Sequence, residues 1–159
     1  MRARLAASAV LVALMTIGTT GCTFMTSQAT TQHYDPSDGI GTTIGDVKVN
    51  NALLVTEDGK NASLIISLAN SSAYGENVTI QYEDATMAKV NDGIFVNSDS
   101  VVSLGADGPS TVVLTGIDAP AGSLFPVFIR YGDTTGKQLW LPVLAAEGEY
   151  SGLAPAATP

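Results

Sequence analysis

The only cysteine of the chain, Cys22, is the residue whose position most directly indicates chemistry. It directly follows the small residues Thr20 and Gly21, which allow a peptide to lie in the groove of a signal peptidase. A cysteine reacts as its thiolate, which is the form that takes up a lipid. A single cysteine excludes an internal disulfide framework and a Cys-rich metal site. The Cys22 thiol is therefore the candidate for a covalent modification.

The residues before Cys22 are typical of an export signal. Arg2 and Arg4 are positively charged, and the apolar stretch that follows, 5–17, is too short to span a bilayer comfortably. The motif resembles a bacterial lipobox, with Thr19 where leucine is usual. We expect residues 1–21 to be a lipoprotein signal peptide that is removed. Two acyl chains (palmitate or a similar fatty acid) would then hold the chain on the extracytoplasmic face of the cell membrane. The alternative is an ordinary secretory signal beside a spare cysteine.

Other reactive side chains are scarce. The single imidazole, His33, lies in a polar segment with no scaffold to orient it, whereas a nucleophilic triad needs an oriented base. Glu83 and Asp84 are adjacent, and neighbours on a strand point to opposite faces. We expect no catalytic residue, no metal ligand and no cofactor, and thus a protein that is not an enzyme.

Composition limits the class of partner. The 159 residues carry 7 basic and 15 acidic side chains, a formal charge of −8, which argues against a nucleic-acid partner. Removal of residues 1–21 would take two of the 7 basic residues with it, leaving 5 against 15 and a charge of −10. A surface of this sign is repelled by anionic headgroups, so the lipid must supply the attachment to the membrane.

The remaining chain divides into three parts. Residues 22–43 are small and polar and predict a flexible tether that begins at the lipidated Cys22. Residues 44–146 contain the apolar patterning of a folded domain, and 147–159 predict a disordered tail rich in Ala and Pro.

Within 44–146, short runs of alternating apolar and polar residues are separated by turn signals. No helical period is sustained beyond the signal. The pattern predicts an all-β fold, an antiparallel β-sandwich of immunoglobulin-like or cupredoxin-like type with seven to eight short strands. Trp140 and Phe128 are expected to be large core anchors. Pro126 and Pro142 are expected at strand edges or bulges.

Several segments resemble a known family. YDPSDGIG from Tyr34 and IGDVKVNNA from Ile44 resemble the start of LpqE-type actinobacterial lipoproteins. ASLIISLAN from Ala62, VVLTGI from Val112 and GSLFPVFIRY from Gly122 are similar to their wider relatives, the periplasmic PCu(A)C copper chaperones. The resemblance implies a cupredoxin-like sandwich, with respiratory oxidase assemblies as one candidate host.

The copper ligands of that family do not carry over. The family uses two His and two Met, the donors that favour Cu(I). The positions that match its His-x-Met pair hold Thr111 and Val113, and only Met87 falls in the region of the first pair. Met25 and His33 lie on the predicted tether. We expect a relative of the fold that has lost the metal site.

Three functions remain as hypotheses. The first is a membrane-anchored, non-catalytic β-sandwich that binds or supports another envelope protein or a membrane complex, such as a respiratory supercomplex. The alternative is copper binding or delivery, which the missing ligands disfavour. A cell-wall glycan or small-molecule binder would require an exposed aromatic cluster, and no small-molecule substrate is identified.

Overall fold

The computed structural model describes residues 37–105 and 111–156. The predicted signal peptide, Cys22, Met25 and His33 lie outside these residues, and the expectations for them stay predictions. The described residues form nine strands and one 3-10 turn, Gly148–Tyr150: β1 Ile40–Ile44, β2 Val47–Thr56, β3 Ala62–Asn70, β4 Glu76–Glu83, β5 Lys89–Val96, β6 Ser100–Leu104, β7 Val112–Leu114, β8 Leu124–Tyr131 and β9 Lys137–Ala145. Within these two ranges, none of the helical segments has the length and hydropathy of a membrane span.

The strands pair in the order β5-β4-β8-β9-β2-β3-β6, with β1 added to β2 and β7 to β3. All pairings are antiparallel except a short parallel one between β2 and β9, from Leu54 opposite Val143 to Thr56 opposite Ala145. This joint connects two halves, β5-β4-β8-β9 and β1-β2-β3-β6-β7, which pack on each other. The predicted all-β sandwich is confirmed, and the parallel joint is the feature that the sequence did not indicate.

The core lies between the two halves because alternate side chains of each strand point inward. In β4 these are Val78, Ile80 and Tyr82, and in β8 they include Val127 and Ile129, all of them buried. Burial of each apolar side chain of this size contributes about 1.5–3 kcal/mol to the free energy of folding. In β8 and β9, the residues between the inward-pointing ones face solvent.

The expectation that Trp140 and Phe128 anchor the core is wrong. Trp140 is 54% exposed, and Phe128 is only half-buried. The segment from Phe125 to Ile129 is apolar at every position, so its alternation did not show which set points inward. The structure buries Phe125, Val127 and Ile129, which turns Phe128 to the opposite face.

Both ends of the domain extend beyond the predicted bounds. Strand β1 begins at Ile40, inside the predicted tether. Residues 147–156, expected to be disordered, instead place Tyr150 and Leu153 on a second apolar cluster, which Leu53, Val55 and Ile65 form on β2 and β3. The hydroxyl of Tyr150 donates a hydrogen bond to Oδ2 of Asp38, 2.8 Å away. The outer side of β2 and β3 is apolar, and residues 147–156 shield part of it from water. We call these residues the C-terminal strap.

Candidate functional site

The positions that the sequence resemblance assigns to the copper ligands, Met87, Thr111 and Val113, lie near one corner of the sandwich. There the turn between β4 and β5 meets the loop after β7: the N–H of Ala85 donates to the carbonyl of Gly116 at 2.7 Å. The N–H of Thr115 donates to the hydroxyl of Tyr82 at 3.0 Å. The fold thus holds the turn that contains Met87 against the loop that follows Val113.

The Met87 turn is built around the carboxylate of Asp84. This carboxylate accepts hydrogen bonds from the N–H groups of Thr86 and Ala88 and from the Thr86 hydroxyl, at 2.6 to 2.9 Å. The bond from the Thr86 hydroxyl, followed by that from Ala88, holds the pKa of Asp84 below its usual value. Met87 itself has a φ of 65° and is 79% exposed. The sulfur therefore points from a solvated turn and not into a closed cage.

The residues on and just before β7 provide no soft ligand for copper. Val112 and Leu114 pack against the central core, so Val113 faces the opposite side, where it lies in register with Ser63. Thr111 is exposed just before the strand. A hydrocarbon side chain cannot bind a metal ion, and Cu(I) prefers several thioether, thiolate or imidazole ligands.

Across the described residues, Met87 supplies the only sulfur and there is no imidazole. No group of three or more His, Cys, Asp or Glu residues comes together in that part of the chain. The residues at this corner therefore do not fit a copper ion.

A second feature lies on the outer face, which we define as the solvent side of β5-β4-β8-β9. Five apolar side chains form a continuous row on it, and we call them the Trp140 row: Leu124, Pro126, Phe128, Trp140 and Pro142. Their backbones lie opposite one another in the β8–β9 pairing, with Leu124 facing Pro142 and Pro126 facing Trp140. Leu124 is 60% exposed. Sequence reasoning missed this row because it assigned the aromatic residues to the core.

A shallow groove of about 320 Å³ lies beside the row. It opens where β4 stops pairing with β8, after Gln81 opposite Phe128, while β8 continues to pair with β9 as far as Leu124. Pro126, which has no N–H to donate, lies on this unpaired side, as expected of a proline at a local edge. The walls of the groove include Gln81, Glu83 and Gln138. These groups can hydrogen-bond a ligand.

The aromatic ring of Phe128 is held by Gly136. A Cβ added to Gly136 would lie 2.5 Å from Cζ of Phe128, so the ring rests directly on the glycine backbone. On the other side of the groove, Nε2 of Gln81 donates to Oδ1 of Asn91 at 2.7 Å. The outer face thus presents fixed apolar side chains beside a row of amides.

Comparison with known proteins supports the fold and no finer assignment. No family model matches the chain, and no curated protein matches it. Among solved structures, the apo PmoF2 PCuAC domain is similar, with a TM-score of 0.53 and 19% sequence identity over 69% of this chain and 98% of that domain. The chain therefore has a fold of the PCuAC type, in agreement with the distant PCu(A)C resemblance.

Proposed function

We propose that this chain is an extracytoplasmic lipoprotein that is held on the cell membrane by the lipid on Cys22. Its β-sandwich is a non-catalytic module that binds another envelope protein or a membrane complex. The observation that carries the proposal is the exposure of Trp140 at the centre of an apolar row.

The energetics of the row favour a protein partner. Tryptophan is among the residues enriched in the few positions that dominate binding energy at interfaces. Here Trp140 is flanked by Pro126 and Leu124, whose solvent-exposed surface would be removed from water on docking. Amide side chains such as Gln81 and Gln138 border the row and would form the polar rim that interfaces of this type have.

Copper delivery has less support. The similar structure is a PCuAC domain, but at 19% identity it supports a shared fold and not a shared ligand. Met87 is alone at the corresponding corner of the described chain, and Val113 offers no donor. The LpqE-type resemblance of the segment from Tyr34 is a further support for an envelope lipoprotein, with a respiratory assembly as one candidate host.

The test has two arms. Mass spectrometry of the chain purified from membranes should find two or more acyl groups on Cys22, and Cys22→Ala should release the chain from the membrane fraction. Cross-linking before solubilisation in detergent, followed by affinity purification, should recover an envelope protein with the lipoprotein. Recovery of the lipoprotein alone after cross-linking would contradict the binding role.

A further inference from the structure

The outer face differs from the rest of the chain in its charge. At the outward positions of β4, β5, β8 and β9 there is one carboxylate, Glu83, and there are two cations, Lys89 and Arg130. Glu83 lies in register opposite Lys89, which leaves Arg130 as the unmatched charge. A chain with 15 acidic and 7 basic residues thus has a face with an excess positive charge.

Apart from Glu83, the acidic residues in the described part of the chain lie away from the outward positions of these four strands. Many of them lie on the connections at the ends of strands, as Asp46, Asp58, Asp118 and Glu147 do. Like charges repel across an interface, and complementary potentials orient two proteins as they meet. An acidic partner surface would therefore be repelled by most of this domain and accepted at the outer face.

The distance between Trp140 and Arg130 follows from the spacing of residues along β8. Arg130 lies four residues along β8 from Pro126, which faces Trp140. At 3.2–3.4 Å per residue, Arg130 lies roughly 13 Å along the strand from the level of Trp140. Phe128 is between them on the same face, so the apolar row runs up to the cation.

We infer that the outer face docks on an envelope protein that presents an apolar socket for Trp140 and, roughly 13 Å away, carboxylates for Arg130. This inference rests on the proposed function and names the chemistry of its partner.

Three other occupants fit the face less well. A helix that lies in a bilayer keeps its polar groups outside the apolar layer, whereas insertion of this face would also bury Gln81 and Asn91. A second copy that docks through its own outer face would meet the same excess of positive charge. A neutral saccharide could use the groove but would leave Arg130 without a partner.

The experiment places a photo-reactive p-benzoylphenylalanine at position 140 of the full chain in native envelope membranes. Position 101 is the matched control, because Val101 is 64% exposed and lies on β6 in the other half of the sandwich. Mass spectrometry maps the residue that each adduct joins. Arg130→Glu reverses the charge on the face, and Lys48→Glu reverses an exposed charge on β2.

We expect an adduct from position 140, and not from 101, with an apolar extracytoplasmic segment of one protein that has Asp or Glu nearby. Arg130→Glu should lower its yield by about fivefold or more, while Lys48→Glu leaves it within about twofold. Adducts to lipid, to saccharide or to a second copy, or none from 140, would overturn the inference. An adduct from 101 alone would overturn it while leaving the proposed binding role intact.

Discussion

Trp140 lies directly opposite Pro126 across the β8–β9 pair, on the solvent side of the sheet. The adjacent residues Leu141 and Val127 are fully buried, so the backbone that carries both outward side chains is fixed by the core. A rigid backbone reduces the entropy that is lost when the indole is buried by a partner. The row is therefore a surface that is organised before it binds.

Removal of the indole should affect binding far more than folding. We expect Trp140→Ala to change the free energy of unfolding by less than about 1 kcal/mol, since the side chain is already half exposed. It should weaken partner binding by at least about 2 kcal/mol, as for other interface tryptophans. Urea denaturation and quantitative co-purification measure the two effects. Tyr74→Ala removes an aromatic side chain that is 76% exposed and lies in the connection before β4, at the end of that strand away from Gln81, and it should leave both unchanged.

The buried amide of Asn70 should be sensitive to charge. Its Nδ2 donates to the carbonyls of Tyr74, Val96 and Asn97 at 2.8 to 3.2 Å, which ties β3 to the ends of β4 and β5. Asn70→Asp would replace this donor with an oxygen among three carbonyls. We expect a loss of at least about 3 kcal/mol in the free energy of unfolding. The same change at the exposed Asn77 should cost less than about 0.5 kcal/mol, and equal losses would contradict the role given to Asn70.

Gly45 should be required for its contact with a tyrosine hydroxyl as well as for its φ of 54°. The hydroxyl of Tyr131 accepts a hydrogen bond from the N–H of Asp46 at 2.8 Å, and a Cβ on Gly45 would collide with that hydroxyl. Gly122 has a φ of 88° with no atom within 4 Å of an added Cβ. We expect Gly45→Ala to cost at least about 1 kcal/mol more than Gly122→Ala.

A double-mutant cycle separates the two causes at this position. Tyr131→Phe alone should cost about 1 kcal/mol, because the N–H of Asp46 loses its acceptor. In that background Gly45→Ala should be less destabilising than in the wild type, since the clashing oxygen is gone. Strictly additive costs in thermal or urea denaturation would contradict the steric explanation.

Because of Tyr150 in the C-terminal strap, the free energy of unfolding of the domain should fall as the pH rises through the alkaline range. Burial, followed by the hydrogen bond to Asp38, raises the pKa of Tyr150 to about 12. A raised folded-state pKa stabilises the fold fully below the unfolded value of about 10, and the effect is lost as the pH rises towards 12. We expect Tyr150→Phe to flatten the fall in the free energy of unfolding between those pH values. Denaturation profiles measured across this pH range test the assignment.

Copper binding should be weak and independent of Met87. A titration of the domain with Cu(I) against a competing chelator should give a dissociation constant no tighter than about 1 μM. Met87→Ala should not change it, since a single exposed thioether is not a preorganised site. Tight binding that is lost in the variant would restore the copper hypothesis.

The sequence was sufficient for the all-β fold, but it missed strand β1 and did not determine which face of some strands is buried. In β4 the buried Val78 and Ile80 alternate with the polar Thr79 and Gln81, so the pattern alone distinguishes the two faces. In β8, Pro126 and Phe128 are as apolar as their buried neighbours, so the outward row could not be distinguished. Which half of a sandwich covers which face depends on pairing between distant segments.

The chain ends show the same limit. Residues 147–156 have the Ala, Gly and Pro content of a disordered segment, and only Tyr150 and Leu153 have sizeable apolar surface. Their place on Leu53, Val55 and Ile65 follows from the outer side of β2 and β3 being apolar. The route of the chain after β9 decides that contact, and composition has no information on it.

Trp140 is the only tryptophan of the chain, so its own emission reports whether the outer face is covered. The most direct measurement substitutes 5-hydroxytryptophan at this position, which can be excited selectively, and follows acrylamide quenching of the full lipoprotein. In native envelope membranes that lack the endogenous chain, the indole should become shielded from acrylamide, and in protein-free liposomes of the same lipids it should stay accessible. An indole that is equally accessible in both, or equally shielded in both, would contradict docking of this face on an envelope protein.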